Sequence, residues 1–322
     1  MSEYVLAADM GGTNLRMAAI GPDGNFLDSR SIPTPTSDRA EDIVEAIVGI
    51  AKECRDSVSD LFELRSLGLA AAALVSAENG RVLSSPNLHE LDGHDLAGEL
   101  RERLGIAVVI ENDANAAAIG EHWLGSSKGF ENSIMVTLGT GVGGGLILNG
   151  GIFRGSDGTA GEIGHVNVEP HGVLCGCGSY GCLEQYASAT AIVRMARELT
   201  AKYPDSSLNN SGDFSSLDVY NAGVAGDELS LDVFELMGFY LGNALAGLVN
   251  VLNPDVITIG GGVASGWDLY ADHVRKQIKE RAFQHPAERV KLVRAELGNR
   301  AGILGAAWLA LNTGRANSST AQ

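Results

Sequence analysis

Basic residues are scarce in this chain. Its 322 residues include 23 Lys and Arg against 40 Asp and Glu, which gives a formal net charge of −17. Because a nucleic-acid surface needs clustered Lys and Arg to neutralise phosphates, this balance argues against a nucleic-acid partner. The hydrophobic content of 45% and the charged content of 20% are those of an ordinary globular protein with an ample core.

Long apolar runs and secretory features are also missing. No uninterrupted apolar run reaches the roughly 18 residues that a membrane span needs. The chain enters a strand pattern at Tyr4 without a basic region or an apolar signal core. Only four cysteines are present, three of them at metal-like spacing, which fits a reducing compartment. We therefore expect a cytoplasmic protein with no membrane partner.

The sequence has no P-loop lysine motif, and the G-x-G-x-x-G spacing of residues 139–144 lies between two predicted strands and does not open a helix as a Rossmann fingerprint does. It has instead a glycine-rich hairpin over residues 4–20. The turn of this hairpin carries Asp9, Gly11, Gly12, Thr13 and Asn14. Glycines let backbone N–H groups approach an anion closely, and a carboxylate beside phosphates suits a hydrated Mg²⁺. Taken alone, the pattern fits a plain hairpin turn equally well.

A second hairpin of the same design covers residues 133–149. Its turn is predicted to comprise Gly139, Thr140, Gly141 and the run Gly143, Gly144 and Gly145. Two such hairpins roughly a domain apart are more informative than either alone. They indicate a duplicated domain in which each half offers one phosphate-facing turn.

Asp113 follows a predicted buried strand, IAVVIEND, and begins a predicted helix, ANAAAIGEHWLG. Ligands of open α/β sheets bind at the carboxyl ends of the strands, which favours a catalytic base at this position. An aspartate at the start of a helix is also a common N-cap. The residues alone leave both roles open.

Three of the four cysteines lie close together, and a histidine precedes them by ten residues: His165, Cys175, Cys177 and Cys182. Three thiolates and one imidazole make a closed tetrahedral ligand set for Zn²⁺, which would be structural because no position remains for water. The alternatives are three small buried thiols, or a disulfide with one cysteine left over. A disulfide across Cys-Gly-Cys would be strained.

Two acids flank this cysteine cluster, Glu162 and Glu184. On a loop held by a metal, these carboxylates and the second ring nitrogen of His165 suit a ligand with several hydroxyl groups. Each acid alone would be read as a solvated surface carboxylate. The loop 85–88 also presents a polar side chain, Asn87. At Gly260–Gly262 a glycine run allows a flat ring to lie on the backbone, or is a tight turn.

Three further expectations concern local structure. A helix after residue 36 is predicted to be capped by Ser37 or Asp38 and to bury a stripe of isoleucines. Alanine is unusually frequent in the predicted strand 67–75, which suggests that something approaches its backbone closely. The tail from Gly314 is predicted to be disordered.

Six segments together resemble the ROK sugar kinases nearly from end to end: DMGGTNLR, ENDANAAAIGE, LGTGVGGGL, GEIGH, CGCGSYGCLEQYAS and NPDVITIGGGV. The resemblance implies the duplicated α/β actin-like ATPase (ribonuclease H-like) fold, with two domains around a cleft. We expect an N-terminal domain over 1–118, to which a closing helix 301–313 returns, and a C-terminal domain over 119–300 with the zinc loop.

The resemblance also implies roles for individual residues. Asp113 would be the catalytic base. The sugar would be held by Asn87, Asn112, Asp113, Glu162, His165 and Glu184. ATP and Mg²⁺ would be held by Asp9, Gly11, Gly12, Thr13, Asn14, Gly139, Thr140, Gly141, Gly143 and Gly144, with Gly261 and Gly262 near adenosine. Zinc would be bound by His165, Cys175, Cys177 and Cys182.

These roles describe phosphoryl transfer from MgATP to a hexose, at O6. Glucose is the expected substrate because GCLEQYAS is similar to bacterial glucokinases. The alternatives are N-acetylmannosamine, N-acetylglucosamine or fructose, or a non-catalytic sugar sensor. Repressors of the family carry a helix-turn-helix domain before the first phosphate turn. Because only eight residues precede Asp9 here, a repressor is not expected. A homodimer or higher homo-oligomer is expected.

Overall fold

The computed structural model describes residues 2–58, 62–76, 78–210 and 212–313. The chain divides into two compact units. The first comprises Met1–Gly129, Gly145–Gly161 and Glu296–Gln322, and the second comprises Phe130–Gly144 and Glu162–Ala295. The domain boundary expected after residue 118 stays a prediction, and the tail from Gly314 lies outside the described residues.

Strands and helices alternate along much of the described chain. The strands are Ser2–Met10 (β1), Asn14–Ile20 (β2), Phe26–Pro33 (β3), Phe62–Ala71 (β4), Leu74–Val75 (β5), Val82–Ser84 (β6), Ala107–Asn112 (β7), Ser133–Leu138 (β8), Val142–Leu148 (β9), Gly151–Ile152 (β10), Val256–Gly260 (β11) and Lys291–Arg294 (β12). The helices are Ala40–Ser57 (α1), Leu96–Leu104 (α2), Asp113–Leu124 (α3), Glu184–Ala187 (α4), Ala189–Leu199 (α5), Ser216–Val224 (α6), Glu228–Leu252 (α7), Trp267–Arg281 (α8), Gln284–Arg289 (α9) and Ala301–Asn312 (α10).

The first sheet has the strand order β3-β2-β1-β4-β7. β2 runs antiparallel to both β1 and β3, whereas β4 runs parallel to β1 and β7. Asp9 lies opposite Ala70, which lies opposite Glu111. The carboxyl ends of three parallel strands therefore meet at one edge, where the polar residues after β1 and β7 lie. Ligands bind at such edges in α/β sheets.

The second sheet repeats this pattern with the order β10-β9-β8-β11-β12. β11 runs parallel to β8 and to β12, as β4 does to its two neighbours. In both sheets a hairpin built around a glycine turn is followed by two parallel strands. This repetition confirms the duplicated α/β fold predicted from the two hairpins.

The glycines of the second hairpin are distributed differently from the prediction. Gly143, Gly144 and Gly145 lie inside β9, and the turn is confined to residues 139–141. A Cβ at Gly145 would lie 2.6 Å from the Cβ of Ala118 and 2.9 Å from the carbonyl oxygen of Ala114. Gly145 is therefore required because α3 packs directly on this strand, so its assignment to the turn was wrong.

The alanine-rich strand has a close neighbour from its own chain. A Cβ at Gly68 would overlap the carbonyl oxygen of Ala306 in α10. The Oγ of Ser66 donates a hydrogen bond of 2.8 Å to the carbonyl oxygen of Ala310. Small residues in β4 thus let α10 pack against the first sheet. The strand also ends earlier than predicted, at Ala71.

The start of α1 differs from the prediction as well. Arg39 is the N-cap residue and makes no side-chain capping bond, so the assignment of the cap to Ser37 or Asp38 was wrong. The Oγ of Ser37 instead hydrogen-bonds the carboxylate of Asp42 in the first helical turn. The expected isoleucine stripe is buried: Ile43, Ile47 and Ile50.

Helix α7 is the central helix of the second unit. Within the described residues it is the one helix long and apolar enough to cross a membrane by length and composition. Its buried residues include Val233, Phe234, Met237, Leu241 and Leu245. A core helix of a globular protein passes the same test, and 44% of the most apolar window of α7 is buried.

Candidate functional site

Asp9 lies near the end of β1, at the carboxyl edge of the first sheet. Its carboxylate faces the start of α10, where a Cβ at Gly302 would lie 3.4 Å from Oδ1 of Asp9. Burial raises the pKa of Asp9, and Arg16, opposite it on β2, opposes that shift. A half-buried carboxylate near a helix N-terminus, with its pKa raised by burial, can be compensated by a cation.

The first glycine turn connects β1 to β2. The N–H of Gly11 donates to the carbonyl oxygen of Asn14 at 3.1 Å, and the Oγ of Thr34 donates to the carbonyl oxygen of Gly11 at 2.7 Å. Gly12, Thr13 and Asn14 are exposed. Hydrogen bonds at Gly11 therefore fix the conformation of the turn, while the residues at its tip face solvent.

Asn87 lies beside this turn. A Cβ at Gly12 would lie 3.1 Å from the Cβ of Asn87, so the turn and the loop 85–88 are in contact. Ser85 anchors the loop because its Oγ donates to the carbonyl oxygen of Ala72 at 3.0 Å and accepts from the N–H of Leu88 at 3.2 Å. Asn87 itself is exposed.

Asn112 is the N-cap of α3. Its Oδ1 accepts from the N–H groups of Ala114 and Asn115, both at 3.0 Å, and its Nδ2 donates to the carbonyl oxygen of Ala73 at 3.2 Å. Asp113 is the first residue of the helix, and its Oδ1 accepts from the N–H of Ala114 at 2.8 Å. The alternative role of Asp113 as the N-cap was therefore wrong, because the preceding residue, Asn112, is the cap.

A pair of charged residues that the sequence did not single out lies next to Asn112. Oε2 of Glu111 accepts from Nε of Arg154 at 2.8 Å and lies 2.7 Å from the second guanidinium nitrogen. Oε1 of Glu111 accepts from the N–H of Asn112 and from Nδ2 of Asn115, both at 3.1 Å. Glu111 is buried and the side chain of Arg154 is partly exposed, so only the carboxylate end of this ion pair lies in the interior of the first unit.

In the second unit, Glu184 is tied to the second glycine turn. Its Oε2 accepts from the N–H of Val142 at 3.0 Å, and a Cβ at Gly141 would overlap its carboxylate. The next residues support the same turn, since the Oγ of Thr190 donates to the carbonyl oxygen of Thr140 at 3.0 Å. The turn 139–141 is thus held by the segment that follows the last cysteine.

The three cysteines and His165 come together. One ligand atom from each lies within 4.8 Å of the others. The Sγ atoms of Cys177 and Cys182 are 3.6 Å apart, and the Sγ of Cys175 lies 3.7 Å from Nδ1 of His165. A tetrahedral zinc with bonds of about 2.3 Å to sulfur separates neighbouring ligand atoms by roughly 3.7 Å. The donor set and its spacing therefore fit zinc.

Neither alternative for the cysteines agrees with the structure. All three are free thiols, which excludes the disulfide. Cys177 is exposed, so the group is not a set of three buried thiols. His165 presents Nδ1 to Cys175, and its Nε2 lies 3.9 Å from Oε2 of Glu162. The imidazole thus links the cluster to a carboxylate.

The glycine run after β11 forms a close backbone turn. Gly261 has φ 86°, a conformation that glycine adopts readily, and a Cβ there would overlap the backbone of Leu138. Gly262 begins a short 3₁₀ turn and is exposed. This geometry accounts for Gly261 by backbone packing, and the contact of Gly261 and Gly262 with adenosine stays a prediction.

The family model described as "ROK family" matches residues 5–313. A glucokinase from Halalkalibacterium halodurans is 36% identical over 312 residues, which cover 95% of this chain and 94% of that protein. The xylose repressor of Bacillus subtilis is 29% identical over 244 residues, which cover 76% of this chain but 60% of the repressor.

Among solved structures, a ROK family glucokinase from Streptomyces griseus in complex with glucose and AMPPNP is similar throughout. Its TM-score is 0.79 and its sequence identity 34%, over 95% of this chain and 98% of that one. These similarities confirm the expected actin-like ATPase fold. They also agree with the repeated strand order of the two sheets.

Proposed function

Because this chain belongs to the ROK family, we propose that it transfers the γ-phosphoryl group of ATP to the 6-hydroxyl of glucose. One observation in the structure supports this proposal most. Asp113 lies at the carboxyl edge of the first sheet, and Asn112 supplies the N-cap of α3 in its place. An acidic residue at this edge, not required as the cap, fits a general base.

Phosphoryl transfer depends mainly on positioning and on neutralising charge. In the proposed reaction, Asp113 accepts the proton of the 6-hydroxyl group while the hydroxyl oxygen of the sugar attacks the γ-phosphorus of ATP. ADP then leaves with the electron pair of the broken bond. The glucokinase from Streptomyces griseus that binds glucose and AMPPNP supports both substrates.

We assign the ATP phosphates to residues 7–14, the end of β1 with the first glycine turn, and to residues 139–146, the second glycine turn with the start of β9. The exposed Gly12, Thr13 and Asn14 support this for the first turn. Asp9 would hold Mg²⁺ through water, and the ion would add to the positive charge that Arg16 supplies to this half-buried carboxylate. Gly261 and Gly262 are assigned to the adenosine.

We assign the sugar hydroxyls to residues that offer carboxylate, amide and imidazole groups: Asn87, Asn112, Asp113, Glu162, His165 and Glu184. A site that pairs each hydroxyl of a hexose strongly rejects an analogue that lacks one of them, because its own polar groups are then left unpaired. Glucose is the substrate we favour because these groups suit a fully hydroxylated hexose and because the relative from Halalkalibacterium halodurans is a glucokinase.

A structural zinc ion held by His165, Cys175, Cys177 and Cys182 is part of the proposal. The ligand-atom distances of 3.6 and 3.7 Å support it. Zinc supplies no chemistry to the transfer, because the four protein ligands complete its coordination. Its effect is to fix the loop that carries Glu162 and Glu184.

We further propose that the protein acts in the cytoplasm, in glycolysis, as a homodimer or higher homo-oligomer. Size-exclusion chromatography with light scattering tests the assembly. A monomer at micromolar concentration contradicts it without affecting the proposed activity.

The activity is tested by measuring ADP release with MgATP and each of five sugars: glucose, mannose, fructose, N-acetylglucosamine and N-acetylmannosamine. Glucose should give the highest kcat/KM, followed by the N-acetylated hexosamines and then fructose. A preference for an N-acetyl sugar contradicts the glucokinase assignment and leaves the sugar kinase standing. No ADP release with any of them favours a sugar sensor, the alternative that the similarity to a repressor supports.

A further inference from the structure

The ion pair between Glu111 and Arg154 lies in the first unit, directly before the two residues Asn112 and Asp113. We propose that it is a positioning device for phosphoryl transfer, which holds the end of β7 so that Asp113 meets the sugar hydroxyl. The inference rests on the proposed function. Neither residue was assigned a role by the sequence motifs.

Both carboxylate oxygens of Glu111 are hydrogen-bonded. One carboxylate oxygen binds the guanidinium of Arg154, and the other accepts from the N–H of Asn112 and from the side chain of Asn115. The carboxylate therefore connects the guanidinium to the residue immediately before Asp113 and to the first turn of α3. A displaced carboxylate would release both bonds that orient this strand end.

Arg154 is also bonded through its backbone. Its carbonyl oxygen accepts from the N–H of Gly158 at 3.2 Å and from the N–H of Ala160 at 3.1 Å. These bonds close the loop 154–160, which continues along the chain to Glu162, a proposed sugar ligand. Arg154 thus binds the strand end before Asp113 through its side chain and closes the loop before Glu162 through its backbone carbonyl.

The two partners differ in burial. The side chain of Glu111 is 6% exposed and that of Arg154 is 31% exposed. A buried carboxylate that loses its cationic partner must either protonate or move toward water, whereas replacement of both charges by neutral groups of similar shape leaves stability nearly unchanged. Stability and positioning can therefore be separated by comparing single with double substitutions.

The experiment uses Arg154→Met, Glu111→Gln and the double variant. Both replacements keep the approximate size of the side chain. We expect each single variant to lose thermal stability and kcat. In the double variant the melting temperature should return toward that of the wild type, while kcat stays roughly 10- to 100-fold lower, the range expected for a misplacement of about 1 Å. KM for ATP should not change.

Arg65→Met is the matched control, because Arg65 pairs with Glu3 in the same unit at 2.9 Å, away from Asp113 in the sequence. It should leave kcat unchanged. A double variant that recovers wild-type kcat together with stability would show that the pair is structural only, and so would single variants with full kcat. A wild type that releases no ADP with any hexose contradicts the proposed function itself, whereas an active wild type with fully active variants contradicts only this inference.

Discussion

The carboxylate of Glu184 accepts a hydrogen bond of 3.0 Å from the backbone N–H of Val142. Glu184 follows the last cysteine of the zinc cluster by two residues, and Val142 follows the second glycine turn directly. The proposed metal site and a proposed phosphate turn are therefore joined by one side chain. Loss of the metal should disturb the binding of both substrates.

Metal content gives the first prediction. Purified protein should carry about one zinc per chain, as a complete four-ligand set requires. Cys177→Ser should lose the metal and raise KM for glucose, because the loop with Glu162 and Glu184 is released. KM for ATP should also rise, through the bond to Val142. Elemental analysis and steady-state kinetics measure both effects.

Cys54→Ala is the control for that experiment. Cys54 is buried in α1 and lies outside the ligand cluster, so its loss should leave the zinc content unchanged. Full activity of a metal-free Cys177→Ser variant would contradict the role given to the metal.

Substitution of Asp113 gives the second prediction. Asp113→Asn keeps the size of the side chain but removes the proton acceptor. Because a general base contributes roughly 10²- to 10⁴-fold, kcat should fall by that factor while glucose and ATP still bind. Calorimetric titration separates binding from turnover. Asp95→Asn is the matched control, since Asp95 is the N-cap of α2 and asparagine caps equally well. If Asp113→Asn retains kcat, another group is the base.

Asp9 gives a prediction about pH. Burial raises the pKa of Asp9 in the folded protein above its value in the unfolded chain. The folded state therefore binds this proton more tightly, and the free energy of unfolding decreases as pH rises from the unfolded pKa through the folded pKa. Asp9→Asn removes this ionisation, so the variant should be more stable than the wild type at neutral pH in the absence of nucleotide.

The measurement is thermal unfolding across a pH series. The stability advantage of Asp9→Asn should shrink as pH falls below the folded pKa, because the wild-type carboxyl is then neutral as well. At neutral pH the variant should bind MgATP less well, since the carboxylate that holds the ion is gone. A variant that is less stable at neutral pH would contradict the account of Asp9.

Gly145 gives a prediction about packing. Gly145→Ala places a methyl group 2.6 Å from the Cβ of Ala118, so α3 must shift or the strand must bend. Overpacking of this kind typically costs about 1–3 kcal/mol in the free energy of unfolding. Gly247→Ala in α7 is the control, because nothing lies within 4 Å of the added methyl group and alanine favours the helix. Urea unfolding measures both, and an unchanged Gly145→Ala variant would contradict the close packing.

The fold was predictable where the information is local. The two glycine hairpins repeat one pattern, and the repeated strand order of the two sheets follows from that duplication. The position of Gly145 was not predictable, because a glycine run fits a turn and a strand alike. What decides between them is the approach of Ala118 from α3, a contact between distant parts of the sequence.

The candidate site was likewise predictable only where its residues lie close together in the sequence. His165 and the three cysteines could be grouped because they lie within 18 residues of sequence, counted from His165 to Cys182. Arg154 could not be paired with Glu111, because 43 residues separate the two and Arg154 stands outside the recognised segments. The cap of α3 was misplaced by one residue because Asn and Asp are both good N-caps. Only the hydrogen bonds of Asn112 distinguish them.

The central claim, transfer of a phosphoryl group from ATP to the 6-hydroxyl of glucose, is tested most directly on the product. The protein is incubated with MgATP and glucose labelled with ¹³C at C6, and the reaction is followed by ¹³C and ³¹P NMR. We predict that a phosphoester with ¹³C–³¹P coupling at C6 appears in step with ADP, and that Asp113→Asn forms it much more slowly. Formation of ADP without a phosphorylated sugar, or a phosphoester at another carbon, would contradict the claim.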